Sequence, residues 1–111
     1  QALQQLEAAL QSYDCAIRFH ANHADAHYNR GNAMRELGRI PEALESYKEA
    51  IRLNPNHLGA QFNLGVVFQA LGQFEAAIKS YTNVIQAKSD YAEVYFNRGN
   101  VLQLIGKFVL H

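Results

Sequence analysis

The chain has little of several residues that define other classes of protein. Its 111 residues include one cysteine, two prolines and no tryptophan. A single cysteine, Cys15, excludes an internal disulfide and leaves the redox compartment open. Cys15 lies beside Ala16 and Ile17 in a helical pattern, and we expect its thiol to be inert and partly buried.

Neither sign of charge is in excess, because ten Lys and Arg residues balance ten Asp and Glu residues. Without a basic block there is no electrostatic reason to expect a nucleic acid or an anionic membrane as partner. No apolar run approaches the roughly 20 residues of a membrane-spanning helix. The sequence does not determine the compartment, and a cytoplasmic location is favoured. With 49% hydrophobic residues, the composition is that of a globular domain.

The chain repeats itself at an interval of 34 residues. Nine residues recur unchanged one interval later, which is hard to obtain by chance. They are Ala26, Asn29, Gly31, Leu37, Gly38, Ala43, Ser46, Tyr47 and Ile51, which return as Ala60, Asn63, Gly65, Leu71, Gly72, Ala77, Ser80, Tyr81 and Ile85. The matches continue forward to Ala92, Asn97, Arg98, Gly99, Asn100 and Gly106, and backward to Ala9, Tyr13, Ala16 and Ile17. The repeat therefore spans the whole chain.

The spacing within one interval predicts two helices joined by a turn. Between Ala26 and Leu37 small and apolar residues recur at three, four and seven, as an amphipathic helix requires. Gly38 ends that helix, because glycine readily adopts the left-handed conformation that closes a helix C-terminus. Pro41 favours the start of the second helix, and Pro55 ends it. The unit is a helical hairpin.

The small residues Gly31 and Ala43 predict that the backbones of the two helices approach closely. A helical hairpin of this length resembles the tetratricopeptide repeat, whose pattern is W-x2-L-G-x2-Y, then A-x3-F, then P. The matching positions hold His27, Arg30, Gly31, Met34, Ala43, Tyr47 and Pro55, and one interval later Gln61, Leu64, Gly65, Phe68, Ala77, Tyr81 and Ser89. The resemblance implies an all-α fold, a right-handed superhelix (solenoid) of helical hairpins.

We expect one tetratricopeptide domain over residues 1–111, made of four segments. They are the second helix of a partial repeat at 1–23, full repeats at 24–57 and 58–91, and the first helix of a truncated repeat at 92–111.

Three helix ends are predicted from capping residues. Asn22 is expected to cap the helix that follows it. Asp90 and Glu93 have the spacing of a capping box for the last helix. That helix is expected to end near Ile105, just before Gly106.

The resemblance also implies a binding surface, because the concave wall of first helices commonly binds peptides in this family. The candidate peptide-binding residues on that wall are Tyr28, Asn29, Asn32, Arg35, Phe62, Asn63, Val66, Gln69, Phe96, Asn97, Asn100 and Gln103. Asp25, Glu36 and Glu93 lie beside them.

Two series repeat along this wall. We call Asn29, Asn63 and Asn97 the asparagine ladder; their amides can pair with the backbone of an extended peptide. The alternative is that they hydrogen-bond neighbouring turns. We call Tyr28, Phe62 and Phe96 the aromatic series; their rings either cover apolar side chains of a guest or pack between hairpins.

The chaperone-binding members of the family suggest a more specific ligand, an acidic C-terminal motif held by a carboxylate clamp. Asn32 and Asn63 fit the two asparagines of that clamp. Tyr28, Glu93 and Asn97, however, occupy positions where the clamp needs basic side chains. An acidic motif is therefore not expected. The asparagine ladder instead resembles the repeat region of O-GlcNAc transferase-type glycosyltransferases.

No catalytic site is expected, since the sequence has no nucleophile with a nearby base and no phosphate-binding glycine loop. His20, His23, His27 and Asp25 could together ligate zinc or nickel. They cross an inter-repeat turn, however, so we expect solvated histidines, no metal and no cofactor.

Two functions remain open. One is a protein-interaction scaffold that binds an extended peptide or partner segment in the concave groove. The other is the substrate-selecting repeat region of a larger O-GlcNAc transferase-like enzyme whose catalytic domain lies outside this chain.

Both ends of the chain carry apolar side chains that a neighbouring helix normally covers. At one end these are Leu3, Leu6 and Leu10, and at the other Leu102, Ile105, Phe108 and Leu110. We expect self-association through these uncapped ends. The simplest form is head-to-tail, with Leu6 of one chain near Phe108 of the next, and a symmetric dimer is the competing form.

Overall fold

The computed structural model describes residues 2–19 and 23–110, with side chains described as far as residue 106. Within these residues the chain forms six α-helices and no strand. They are α1 (Ala2–Phe19), α2 (Ala24–Glu36), α3 (Ile40–Leu53), α4 (Leu58–Ala70), α5 (Phe74–Ala87) and α6 (Ala92–Leu110). The predicted all-α fold of helical hairpins is confirmed. The division of the chain into one partial, two full and one truncated repeat stays a prediction.

The helices belong to two compact units, Gln1–Ala60 and Gln61–His111. In the first unit α1 packs on α2, and α2 packs on α3. Its buried apolar residues are Leu10, Ala26, Ala33, Met34, Ala43, Tyr47, Ala50 and Ala60. In the second unit α5 packs on α6. Its core is formed by Ala77, Tyr81, Val84, Ile85, Val94 and Val101.

Glycines close α2 and α4 as the sequence predicts. Gly38 has φ 78° and Gly72 has φ 74°, the left-handed conformation that glycine adopts without strain. The amide of Arg39 then donates to the carbonyl of Met34 at 2.8 Å, and an equivalent bond follows Gly72. These bonds satisfy carbonyl groups that the helix end leaves unpaired.

Helix α6 continues through Gly106 to Leu110, so the predicted end near Ile105 is wrong. Among the described residues the glycines with positive φ are Gly38 and Gly72. Gly106 does not have a positive φ. Glycine permits the left-handed conformation but does not require it. After Gly38 a new helix begins at Ile40 with Pro41 in its first turn, whereas residues 107–110 contain no proline.

Histidines cap α2 and α4. The Nδ1 atom of His23 accepts from the backbone amide of Ala26 at 3.2 Å. The Nδ1 atom of His57, one repeat interval later, accepts from the amide of Ala60 at 3.1 Å. Asn22, the predicted cap of α2, lies outside the described residues. The histidine ring here takes the role that a short polar side chain usually has at this position.

Helix α6 begins at Ala92, but its cap differs from the predicted capping box. A capping box of Asp90 and Glu93 requires the first helical residue at Tyr91, but α6 begins at Ala92. The carbonyl group of Tyr91 accepts from the amides of Val94 and Tyr95, at 3.1 and 3.4 Å. The box is therefore one residue out of register, and Tyr91 stands where His23 and His57 stand in the earlier repeats.

The glycine inside α2 and the glycine inside α4 each make room for an aromatic ring. A Cβ atom placed on Gly31 would lie 2.6 Å from Cε1 of Tyr47, and one on Gly65 would lie 2.5 Å from Cε1 of Tyr81. Both tyrosines are fully buried. The prediction of close packing at Gly31 is correct, but the close partner is a tyrosine ring of the next helix, not its backbone.

Cys15 is exposed, contrary to the prediction of a partly buried thiol. The less exposed residues of α1 are Leu6, Ala9, Leu10, Tyr13, Ala16 and Ile17, which share one face. Cys15 falls on the opposite face, because adjacent positions in a helix point about 100° apart.

Searching the described residues for a helix both long and apolar enough to cross a membrane finds none.

The contact expected between Leu6 and Phe108 involves a side chain outside those described, so self-association stays a prediction.

Candidate functional site

The second unit contains an open groove of about 500 Å³ between α4, α5 and α6. It is lined by Val66, Gln69, Ala70, Phe74, Asn97 and Leu104. Three of the predicted peptide-binding residues, Val66, Gln69 and Asn97, therefore lie together. Apolar side chains and amides share the lining, and none of the lining side chains carries a charge.

A buried tyrosine holds one amide of this groove. The hydroxyl group of Tyr81 donates to Oε1 of Gln69 at 2.9 Å. Burial raises the pKa of the Tyr81 phenol, and the nearby Asn97 amide opposes this rise. The phenol is therefore un-ionised at neutral pH and can donate to Gln69.

The first unit has a related contact. The hydroxyl group of Tyr47 donates to Oδ1 of Asn32. The residue one interval after Asn32 is Val66, which has no acceptor, so Tyr81 donates to Gln69 instead. Sequence reasoning missed both bonds. The sequence signal for such a bond is a tyrosine on the second helix of a hairpin together with an Asn or Gln on the facing side of the first helix.

The asparagine ladder is not a row of exposed amides. Asn63, its middle member, is 8% exposed, whereas Asn29 and Asn97 are half-buried. An amide buried this deeply needs hydrogen-bond partners within the protein, and Asn63 makes contacts of its own. The burial of Asn63 therefore favours the alternative in which its amide hydrogen-bonds within the protein.

The aromatic series is mostly packed against other rings. The ring of Tyr28 lies 4.6 Å from that of His57 and 6.1 Å from that of Tyr47. Phe62 has the equivalent neighbours, with ring centroids 5.8 Å from Tyr81 and 6.1 Å from Tyr91. These contacts favour the packing alternative for both rings. The third member of the series is different, since Phe96 is 69% exposed.

The remaining predicted wall residues lie outside the groove lining. Arg35 is half-buried on α2, and Asn100 and Gln103 are exposed on α6.

Among the residues considered as metal ligands, His23 and Asp25 make contacts within the protein. His23 caps α2, and Asp25 lies 2.9 Å from Nε2 of His57. His20 lies outside the described residues. The Nε2 atom of His27 has no hydrogen-bond partner in the described part of the chain. Over that same part, no group of three or more His, Cys, Asp or Glu residues is arranged to hold a metal ion.

The sequence profile of the tetratricopeptide (TPR) repeat matches residues 2–35, 31–72 and 68–106. The chain belongs to the tetratricopeptide-repeat family. Together the three matches cover most of α1 to α6, so the repeat pattern read from the sequence is confirmed. No curated protein matches this tetratricopeptide chain.

Solved structures have the same fold as this tetratricopeptide chain. A crystal structure of MamA is 23% identical with a TM-score of 0.86, covering 91% of this chain and 59% of that one. A second MamA structure is 25% identical with a TM-score of 0.87, covering 91% and 55%. The first TPR domain of Spaghetti (RPAP3) bound to the HSP90 peptide SRMEEVD is 20% identical with a TM-score of 0.89, covering 93% and 82%. This chain thus spans between 55% and 59% of these MamA chains.

Proposed function

We propose that this tetratricopeptide domain binds an extended peptide segment of a partner protein in the groove between α4, α5 and α6. Membership in a family of protein-interaction modules supports an interaction role, as does a peptide-bound neighbour of the same fold. The single observation that carries the groove proposal is the amide of Gln69, which Tyr81 holds in a groove that Asn97 also lines.

The chemistry of these two amides suits a peptide group. Gln69 uses its oxygen to accept from Tyr81, so its NH2 group is the part that can donate to a guest. Asn97 lines the same groove, and its amide oxygen can accept from a guest. One donor and one acceptor in one groove match the C=O and N–H groups of an extended backbone.

The rest of the lining indicates which side chains the guest carries. Val66, Ala70, Phe74 and Leu104 offer apolar surface, and no lining residue is charged. An uncharged groove favours apolar or neutral guest residues, because a carboxylate brought into it would lose its hydration without gaining a cation. We therefore propose a neutral, partly apolar segment and not an acidic tail.

The other candidate residues lie outside the groove lining, and each group would contact a guest on its own unit. Those on α2 are Tyr28, Asn29, Asn32 and Arg35, and those on α6 beyond the groove are Phe96, Asn100 and Gln103. In the alternative function, the substrate-selecting region of a glycosyltransferase, a groove of this kind would bind the protein substrate of a catalytic domain outside this chain.

A peptide array of neutral extended sequences, followed by fluorescence anisotropy on its best binders, tests the groove. Leu104→Glu places a charge in the apolar lining and should weaken binding at least about tenfold. Asn83→Glu adds the same charge to an exposed position of α5 and should leave binding within about twofold. Helix content by circular dichroism controls for folding. The groove is not the binding site if Leu104→Glu binds peptides as tightly as the unmodified chain, or if no peptide on the array binds.

A further inference from the structure

The repeat interval shows which groove residues the helical hairpin does not itself require. Each lining position on α4 and α5 has a counterpart one interval earlier, on α2 or α3. Val66, Gln69, Ala70 and Phe74 correspond to Asn32, Arg35, Glu36 and Ile40. The first hairpin thus folds with an amide, a cation and a carboxylate at positions where the second has an uncharged lining. The uncharged lining is therefore not a requirement of hairpin packing.

The contrast is largest at Ala70. Ala70 is the last residue of α4, and its counterpart Glu36 is the last residue of α2. One interval after Ala70, helix α6 has Leu104. Both Ala70 and Leu104 line the groove, although Ala70 is exposed and Leu104 only half-buried. A position that accepts a carboxylate in one hairpin is therefore apolar on both first helices that line the groove.

The apolar side chains of the groove come from three helices. Ala70 ends α4 and Phe74 begins α5, so the turn between them places both at the same end of the hairpin. On α6, Leu104 lies two helical turns after Asn97, about 10 Å along the helix axis. An apolar guest side chain and the peptide groups beside it can therefore contact different parts of the lining.

The size of the groove suits a large side chain. Its volume of about 500 Å³ lies within the roughly 300–1,000 Å³ of sites that bury small ligands. Ala70 contributes a single methyl group, and because it is exposed, a guest can reach it. A larger residue at this position would fill space that the methyl group leaves open.

We propose that the groove accepts one large apolar side chain of the guest, a leucine, methionine or phenylalanine, and that Ala70 determines this preference. The inference rests on the proposed peptide-binding function and adds the residue class that the partner segment presents. A small guest residue would leave apolar lining in contact with water. A charged one would lose its hydration, because none of the lining side chains carries an opposite charge.

A panel of short uncharged peptides tests the preference. The peptides share the sequence of the best array binder and differ at its large apolar position, which is replaced in turn by Ala, Val, Leu, Met and Phe. In anisotropy titrations the Leu, Met and Phe peptides should bind about 10- to 100-fold more tightly than the Ala peptide, because they bury more apolar surface. Equal dissociation constants across the panel would overturn the inference. So would a best binder without a large apolar residue.

Ala70→Leu is the matched change in the protein, because it fills the proposed space from an exposed helix end. It should weaken binding of the Leu, Met and Phe peptides at least about tenfold, and that of the Ala peptide by less than about twofold. Ala70→Glu copies Glu36 of the first hairpin, so it serves as a second variant that the fold accepts, and it should also weaken the large-residue peptides. Helix content by circular dichroism controls for folding. An equal effect of Ala70→Leu on every peptide would show that Ala70 does not determine the preference.

Leu104→Glu separates this inference from the groove proposal. If Leu104→Glu weakens binding but the unmodified chain binds the whole panel alike, the groove remains the binding site and the preference for a large residue is wrong. If peptides bind equally well to Leu104→Glu, or if no peptide binds, both the groove and the preference are wrong.

Discussion

Replacing Gly65 by alanine tests whether the repeat glycine is required by the tyrosine ring behind it. The added Cβ would lie 2.5, 2.7 and 3.0 Å from three ring atoms of Tyr81. That ring is fully buried and its hydroxyl group is bound to Gln69, so it cannot move aside without losing contacts. Overpacking of this kind costs about 1–3 kcal/mol.

The expected net effect of Gly65→Ala is smaller than this cost, because alanine is favoured over glycine in a helix interior by about 1 kcal/mol. Gly99→Ala in α6 gains the same helix propensity without a neighbour within 4 Å in the described residues. The difference between the two variants therefore isolates the ring contact, and we expect Gly65→Ala to be less stable than Gly99→Ala by about 1–3 kcal/mol.

Urea unfolding followed by circular dichroism, at a protein concentration low enough to keep the chain monomeric, measures this difference. A double-mutant cycle with Tyr81→Leu assigns it to the ring, since removing the ring should remove most of the cost of the added methyl group. Equal stabilities of Gly65→Ala and Gly99→Ala would refute the ring argument. So would a cost at Gly65 that persists after Tyr81→Leu.

Three further outcomes are expected. Asn63→Ala should lower the free energy of unfolding by about 1–3 kcal/mol, because it removes a buried amide that its neighbours need. As a control, Asn100→Ala at an exposed position should stay within about 0.5 kcal/mol of the unmodified chain. Equal effects of the two substitutions in urea unfolding would contradict the burial of Asn63. Burial raises the pKa of Tyr81, so its contribution to stability is fully present below the unfolded-state pKa of about 10 and is lost as pH rises through the folded-state pKa. Tyr81→Phe should therefore lose less stability than the unmodified chain between neutral pH and alkaline pH, and parallel losses would argue against this assignment. The acidic peptide SRMEEVD, which the RPAP3 domain binds, should show no more anisotropy change than a scrambled peptide, and saturable, sequence-dependent binding would show that the uncharged groove does not determine the ligand class.

Much of the fold follows from local sequence signals. The interval of 34 residues places each helix, and Gly38 and Gly72 end helices because the chain after them turns back at once. Such signals depend on backbone conformation and on spacing along a single helix, so they can be read without knowing any partner. The end of α6 shows their limit, since Gly106 has the same residue type and spacing but continues a helix.

The candidate site was only partly predictable, because its contacts join side chains of different helices. The sequence placed Val66, Gln69 and Asn97 on first helices, and the structure brings them into one groove. It could not show that Tyr81 donates to Gln69, because that depends on which side chain of a neighbouring helix reaches the hydroxyl group.

By itself, then, the sequence determined the helices, their turns and the membership of the chain in a repeat family, since all three are encoded in residue spacing. Only the tertiary structure decided the surroundings of each side chain. Asn63 is buried although its repeat-related neighbours Asn29 and Asn97 are half-buried, and Gly65 faces a ring where Gly99 faces open space. Equivalent positions in a repeat share a backbone conformation, but burial depends on which helix packs against them.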